Sequence, residues 1–261
     1  MSADVPDHCH PAASDTTAHP RADGEDLILA ALNHLRGIRP ADGSFSGPPS
    51  LTCQKESLCE WAERLGLLLD ADFVLPRFQR GGQEHDFYRD GDRIFKMTRD
   101  GIFGLALGID LALVSSDMDA RRFHLWEATP MEYLVRLLLQ NELVPGLNRL
   151  EGIINQGDDM AIVSSQPRFE LEQVSQTEID EWFAAMDFEK ITRCGYYRVA
   201  DNLGVFDAHT KNLVRFEGTL IPFDVIPCRP GGGFLQFIAD TLAAGHHVRE
   251  VRTVSSSPQG A

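Results

Sequence analysis

The chain has 261 residues, of which 43% are hydrophobic, so it can bury the core of one large domain or of two small lobes. A formal net charge of −15 argues against a nucleic-acid-binding protein, which usually presents a basic face, and against a polybasic membrane contact. The five cysteines are scattered, no run is apolar enough to span a bilayer, and no signal peptide is evident. We therefore expect a reduced, cytoplasmic protein.

The N-terminal quarter of the sequence predicts a polar tail followed by two helices. Residues 1–25 have no hydrophobic periodicity and are expected to be disordered. Apolar residues at helical spacing predict helices at Asp26–Arg36 and Lys55–Leu69, with a linker rich in Gly, Pro and Ser between them. We expect residues 26–69 to extend a domain that begins near Asp70.

Residues 70–167 predict a sheet with one helix. Strands are expected at Phe73–Phe78, from Phe87, and at Arg93–Met97, Leu150–Asn155 and Met160–Ser165. Ile94 and Lys96 face the same side of their strand. A lysine on an otherwise apolar face either protects a sheet edge against aggregation or serves a site, and the pattern alone leaves both open.

Pro130–Leu143 gives the strongest helical pattern in the sequence. Thr129 can cap this helix and Pro130 suits its first turn. Glu132 also lies in the first turn, where a carboxylate interacts favourably with the helix dipole.

Residues 168–247 predict a second, smaller unit, and residues 248–261 a flexible tail. A capping box at Ser175–Glu178 predicts a helix that ends near Met186. Short strands are expected at Ile191–Arg193 and Tyr196–Val199, and a final helix at Phe234–Ala243.

Two carboxylates and an amide surround a hairpin between Gly204 and Pro227. Asp207 and Asn212 precede the hairpin, Glu217–Thr219 is its turn, and Asp224 follows it. Oxygen ligands of this kind suit a hard divalent cation. Aspartates are also common in caps and turns, so an unrelated α+β domain remains an alternative.

The order of these features resembles the protein-kinase-like fold, and most closely the serine/threonine/tyrosine kinase-like domain of bacterial and phage polyvalent proteins. The resemblance rests on seven short motifs: Gly81-Gly82-Gln-Glu-His85, Arg93-Ile-Phe-Lys96, Pro130-Met-Glu-Tyr-Leu134, Ser165-Gln-Pro167, Tyr196-Tyr197, Asp207-x-x-x-x-Asn212 and Asp224-Val-Ile. His209 also gives the Asp-x-His-x-x-Asn pattern of aminoglycoside and choline kinases.

The resemblance implies a bilobal α+β fold, with an antiparallel-sheet N-lobe at residues 70–167 and a reduced C-lobe at residues 168–247. The implied cofactors are ATP and Mg²⁺, and the acceptor would be a hydroxyl group of unknown identity.

The resemblance also assigns roles to individual residues. Lys96 would bind the α/β-phosphates and pair with Glu132 or Glu142, Asp207 would act on the acceptor hydroxyl, and Asn212 and Asp224 would hold Mg²⁺. Gly81 and Gly82 would approach the phosphates, and the backbone around Ser165 and Gln166 would bind adenine.

Several positions depart from the kinase pattern. The glycine loop has no G-x-G-x-x-G motif, Val205 stands where related families carry a histidine, and Val225-Ile226 follows Asp224 in place of Phe-Gly. Two functions are therefore compatible with the sequence: an active phosphotransferase, or a pseudokinase-type nucleotide-binding or interaction module without transfer.

Overall fold

The computed structural model describes residues 24–38, 48–99, 101–109, 123–157, 159–170, 172–245 and 254–255. The tail predicted at residues 1–25, apart from its last two residues, lies outside this range, as does most of the one predicted at residues 248–261. The helices are α1 Gly24–Arg36, α2 Leu51–Arg64, α3 Ala71–Val74, α4 Pro130–Leu143, α5 Gln176–Ala185 and α6 Gly232–Ala244.

The strands form small sheets in which nearly all pairings are antiparallel. They are β1 His85–Asp90, β2 Arg93–Thr98, β3 Leu105–Ile109, β4 Phe123–Glu127, β5 Arg149–Gln156, β6 Asp159–Pro167, β7 Glu189–Lys190, β8 Tyr196–Arg198, β9 Leu203–Phe206, β10 Leu213–Phe216, β11 Thr219–Pro222, β12 Ile226–Cys228 and β13 Val254–Ser255. This mixed α+β architecture with antiparallel sheets agrees with the predicted fold class.

The sheet that carries Lys96 has the strand order β1-β2-β6-β5. The hairpin of β1 and β2 turns at Gly91, which has a φ of +56°. Strand β2 then pairs with β6, so that Lys96 lies opposite Ser164. This register also pairs Ile94 with Gln166 near the end of β6, so Lys96 lies two residues along β2 from that pair.

The predicted strand at Phe73–Phe78 is wrong. This segment forms α3 and a 3₁₀ turn at Leu75–Arg77, and the Asp70 side chain caps α3 by accepting from Asp72 N at 3.0 Å. Pro76 lies inside the 3₁₀ turn, where its fixed φ is compatible with the helical backbone. The six-residue segment was too short to distinguish the two structures by periodicity.

Helix α4 confirms the prediction for Pro130–Leu143, including the Thr129 cap. One side of α4 packs on α1, α2 and β5 in the largest core cluster, which contains Ile28, Leu32, Leu58 and Ile153, all fully buried. The helices predicted as an N-terminal extension therefore share the core of the sheet and α4.

A second core lies beneath the hairpin of β10 and β11. Here α5 buries Ile179 and Phe183 against strands β8 to β11, and Leu139 of α4 joins the same cluster. Strand β9 pairs with β8 and β12, which places Asp207 immediately after a central strand. Among the described helices, none is both long and apolar enough to cross a membrane.

Two further short segments and the bounds of α2 differ from the prediction: this helix, expected at Lys55–Leu69, spans Leu51–Arg64. The strand expected at Ile191–Arg193 is instead β7, at Glu189–Lys190. Val254–Ser255, expected within a flexible tail, pair in parallel with β4.

Candidate active site

A cleft of about 800 Å³ separates the sheet of β1, β2 and β6 from the segment that runs from Asp207 to Asp224. Four of the residues singled out in the sequence line it together: Lys96, Asp207, Asn212 and Asp224. They come from segments more than 100 positions apart, so the fold, and not sequence proximity, brings Lys96 to the others.

Lys96 points from β2 into this cleft. Its Nζ donates to Asp224 Oδ1 at 3.0 Å and lies 5.7 Å from the centre of the Phe223 ring. With the Gln166 amide in the orientation that satisfies both of its ends, its oxygen accepts from Lys96 Nζ at 3.3 Å and its nitrogen donates to Phe223 O at 3.2 Å. The ammonium group is thus held between β6 and the segment after the hairpin.

Asp224 contacts two cations through one oxygen. Lys96 Nζ lies 3.0 Å and Arg136 NH2 3.6 Å from its Oδ1. Burial opposes ionisation of this carboxyl group, but the two nearby positive charges outweigh it and hold the pKa of Asp224 well below its ordinary value. Within the described residues, no hydrogen bond is formed to its other oxygen, Oδ2.

Asp207 and Asn212 form a compact loop between β9 and β10. The Asn212 amide nitrogen donates to Asp207 O at 2.8 Å and to Asp207 Oδ2 at 2.9 Å. Asp207 has a φ of +56°, a left-handed conformation that aspartate tolerates better than most residues and that is often found at functional sites. The backbone N–H of Asp224 donates to Asn212 O at 3.3 Å, which places the two expected metal ligands side by side.

His209 lies beside the Asp207 carboxylate. Its Nδ1 accepts from Lys211 N at 3.2 Å, so the neutral ring carries its proton on Nε2. That Nε2 is 3.5 Å from Asp207 Oδ1. The ring thus lies near Oδ1, whereas Asn212 contacts the other carboxylate oxygen, Oδ2.

Hydrogen bonds to Gln176 and to the segment before β8 hold the Asp207 loop in place. Ala208 N donates to Cys194 O at 2.9 Å, and Gln176 Nε2 donates to Ala208 O at 3.3 Å and to the Tyr196 hydroxyl oxygen at 3.0 Å. Tyr196 in turn donates to Asp180 at 2.5 Å. These bonds give the loop a rigid base, which sequence analysis of the loop alone did not reveal.

Arg136 is a site residue that the sequence analysis missed. It lies on α4, is 4% exposed, and contacts both Asp224 and Glu84, which also lines the cleft. An arginine in an amphipathic helix ordinarily indicates a solvated face, and only the tertiary position of Glu84 identifies this one as buried. The short Gly81–His85 motif contained its partner but gave no sign of the pairing.

A chain of buried hydroxyl and imidazole groups lies behind Lys96. His85 Nε2 and the Tyr133 hydroxyl are 3.1 Å apart, and the Tyr133 hydroxyl is 3.1 Å from Ser164 Oγ. Burial lowers the pKa of His85 to about 4 and raises that of Tyr133 to about 12. Both groups are therefore neutral near pH 7 and add no charge beside Lys96.

The structure does not bring Glu132 or Glu142 to Lys96. Glu132 accepts from Thr129 N at 2.8 Å and completes the capping box of α4. Glu142 pairs with Arg229 instead. Among the described residues, Lys96 pairs with Asp224, and α4 contributes Arg136 to the site instead of a glutamate.

Two further predicted residues do not line the cleft. Ser165 faces the other side of β6, where it accepts from Arg93 Nε at 2.8 Å and donates to Glu151. Gly81 lies behind the cleft; a Cβ there would come within 2.3 Å of His85 O, so glycine is needed for close packing of the backbone. By contrast, Gly82 and Gln166 do line the cleft.

The remaining walls of the cleft combine aromatic rings with exposed cations. Phe87, Ile94, Phe169 and Phe223 supply apolar surface. Arg193 and Lys211 are exposed and line the part that also contains Asp207. A flat heterocycle with an anionic extension would suit such a cleft.

A comparison with protein-family models identifies residues 121–227 as similar to the serine/threonine/tyrosine kinase found in polyvalent proteins. This confirms the resemblance predicted from the sequence and supports a kinase-like phosphotransferase in general. The matched segment is less than half of the chain; it contains α4, Asp207, Asn212 and Asp224 but not Lys96. Neither the curated proteins nor the solved structures contain a significant match.

Proposed function

We propose, from the family match and from the cleft, that this chain is an ATP- and Mg²⁺-dependent phosphotransferase with a bilobal, kinase-like domain. It would move the γ-phosphate of ATP to a hydroxyl acceptor of unknown identity. The observation that carries the proposal is the convergence of Lys96 with Asp207, Asn212 and Asp224 on one cleft. Phosphoryl transfer needs such positioning and charge neutralisation more than covalent chemistry.

The nucleobase of ATP would lie among Phe87, Ile94 and Phe223, with Gln166 at the end of β6 as a polar contact. Pro167 has no backbone N–H, and the N–H of Arg168 donates to Asp92 O at 2.7 Å. The adenine would therefore be recognised more by the Gln166 side chain than by backbone donors after β6.

The donor set of the site fits Mg²⁺. The amide oxygen of Asn212 and the Oδ2 atom of Asp224 are oxygen donors on adjacent segments, and Mg²⁺ typically takes one or two carboxylates together with substrate phosphates. In the part of the chain that the structure describes, no group of three or more His, Cys, Asp or Glu residues could hold a metal alone. When bound, the ion would supply charge neutralisation at the phosphates.

The chain's own residues would then position both reactants. Lys96 would contact the α/β-phosphates, and Asp207, oriented by Asn212 and with His209 beside it, would accept the proton of the acceptor hydroxyl. The acceptor oxygen forms a bond to the γ-phosphorus as the bond from that phosphorus to the β–γ bridging oxygen breaks. ADP and the phosphorylated acceptor are the products.

A nucleotide-binding module without transfer is the second candidate. The observation that favours it is Glu84, which places a negative charge in the loop where kinases have glycines that cover the phosphates. Such a protein would bind ATP through the same cleft and leave it intact.

A melting series with ATP, in the presence and absence of Mg²⁺, tests the proposal. A ligand that binds only the folded protein raises its melting temperature, and we expect the larger rise when Mg²⁺ is present. The absence of any shift at millimolar ATP would contradict both candidates. A shift without transfer of labelled phosphate, either to the protein or to added acceptors, would favour the second.

A further inference from the structure

We infer that Arg136 is a positioning residue that keeps Asp224 in place when Lys96 exchanges this carboxylate for the phosphates of a nucleotide. The inference rests on the proposed function and adds a residue that the kinase resemblance did not assign. This role would explain how Lys96 can release Asp224 and bind phosphates while Asp224 keeps the position expected of a metal ligand.

One guanidinium group connects three segments of the site. Arg136 Nε donates to Val225 O at 3.1 Å, NH1 contacts Glu84 Oε2 and Leu105 O, and NH2 lies 3.6 Å from Asp224 Oδ1. One helical turn further along α4, Gln140 Nε2 also donates to Val225 O, at 2.8 Å. The residue next to Asp224 is therefore held by two side chains of the same helix.

The two cations that contact Asp224 differ in burial and in the number of contacts that they make. The Arg136 side chain is 5% exposed and all three of its nitrogens have partners, whereas the Lys96 side chain is 16% exposed and ends in a flexible ammonium group. A planar guanidinium in several contacts is preorganised, while the ammonium group of a lysine is a point charge on a flexible stem and can change partners. Incoming phosphates would thus draw Lys96 away from Asp224 and leave Arg136 in place.

Glu84 makes this arrangement electrically balanced. Its Oε2 contacts Arg136 and accepts from Leu105 N at 2.9 Å, and the Glu84 side chain is 15% exposed. The cluster contains two cations, Lys96 and Arg136, and two carboxylates, Asp224 and Glu84. A nearly buried guanidinium without Glu84 would have only the shared Asp224 as counter-ion, which would compete with metal binding there.

The packing around this pair leaves little room for rearrangement. Gly104 has a φ of +77°, and a Cβ at this position would lie 3.0 Å from Glu84 Oε2 and 3.4 Å from Arg136 NH1. A side chain at position 104 would therefore crowd the ion pair, so the backbone packs closely against it. Tight packing of this kind fixes the guanidinium in one orientation.

The test uses three variants of the full chain: Arg136→Met, the double variant Glu84→Gln/Arg136→Met, and Arg136→Lys. Calorimetry gives the ATP dissociation constant with and without Mg²⁺, and melting gives the stability of each protein. The single Met variant leaves the largely buried Glu84 side chain without its cation, so this variant should be destabilised, and the double variant should recover much of that loss. Arg198→Met, in a half-buried ion pair with Asp201 that lies outside the cleft, is the control.

If Arg136 is a positioning residue, a variant can recover thermal stability without recovering the Mg²⁺-dependent gain in ATP affinity. The double variant should melt near the wild type yet lose roughly 10-fold or more of the Mg²⁺-dependent gain in ATP affinity, the typical effect of removing a group that orients a metal ligand. Arg136→Lys retains the charge and should show the same loss. If either protein keeps the full Mg²⁺-dependent gain, Arg136 is only structural and the inference is overturned. If the wild type itself binds no ATP, the proposed function fails first.

Discussion

Lys96 Nζ lies 3.0 Å from Asp224 Oδ1, although the two residues are 128 positions apart in the chain. One is the expected phosphate-binding cation and the other an expected metal-binding carboxylate. Without ligand they neutralise each other, so binding of a metal–nucleotide complex has to exchange an internal ion pair for two new ones. Both groups would remain charged and paired throughout this exchange, because each gains a new partner of opposite charge.

Replacement of Lys96 by Met should strongly weaken ATP binding. At an ATP concentration of 100 times the dissociation constant, the wild type should gain about 2.7 kcal/mol, which corresponds to a rise in melting temperature of roughly 5–10 °C. Loss of a charge-assisted phosphate contact, worth about 2 kcal/mol, should reduce that rise to roughly 2–3 °C. Lys55→Met, on α2 and outside the cleft, is the control, and an unchanged rise in the Lys96 variant would contradict the assigned role.

Replacement of Asp207 by Asn should abolish transfer and spare binding. The amide keeps the size of the side chain but cannot accept the hydroxyl proton, so the rate of labelled-phosphate transfer should fall by about 10²–10⁴-fold. The ATP-dependent rise in melting temperature should stay within the error of the wild type. Equal loss of binding and transfer would show that Asp207 contributes to the nucleotide or metal site instead.

Replacement of Glu132 by Ala separates a capping role from a role beside Lys96. Because Glu132 completes the capping box of α4, its loss should cost about 1 kcal/mol of stability, or a drop in melting temperature of roughly 2–4 °C. Thr129→Ala removes the other half of the box and should cost a similar amount. The dissociation constant for ATP should remain within about twofold in both. A loss on the scale of the Lys96 variant would restore Glu132 as the partner of that lysine.

The stability of the protein should fall as the pH drops from about 6.5 to about 4, partly because of His85. Burial depresses the pKa of His85 in the folded state from 6.5 to about 4, so the unfolded chain binds this proton first and unfolding becomes easier across that window. The effect amounts to at most roughly 3 kcal/mol. Urea unfolding of wild type and His85→Gln across this pH range measures it. Parallel stability curves would show that His85 does not titrate in this way.

The elements with local signals were predictable from the sequence. The capping boxes at Thr129 and Ser175 satisfy backbone N–H groups within one turn, so α4 and α5 could be placed from a few residues. The spacing of Asp207, Asn212 and Asp224 around a hairpin likewise depends on short-range geometry. These parts of the fold and site follow from neighbours in the chain.

The parts that depend on distant neighbours could not be predicted in the same way. The helical pattern around Arg136 predicts a surface residue. Its burial depends on Glu84, which lies 52 positions earlier in the sequence and contacts it in the fold. Ser165 and Gln166 are adjacent, yet the alternation of β6 sends only Gln166 into the cleft. The sequence predicted that Lys96 forms an ion pair with a glutamate of α4. Its partner is Asp224 instead, and α4 directs Arg136 toward the site and its glutamates elsewhere.

The burial of α4 from both sides limits how the cleft can be regulated. Leu134 and Leu137 of this helix pack with Leu32 of α1 and Leu58 of α2, while Arg136 and Gln140 hold the segment after Asp224. An outward movement of α4 would disrupt the hydrophobic packing between α4 and α1 before it could displace Asp224. Helix α1 therefore stabilises the position of Arg136 and Gln140 beside Asp224, although it does not itself line the cleft.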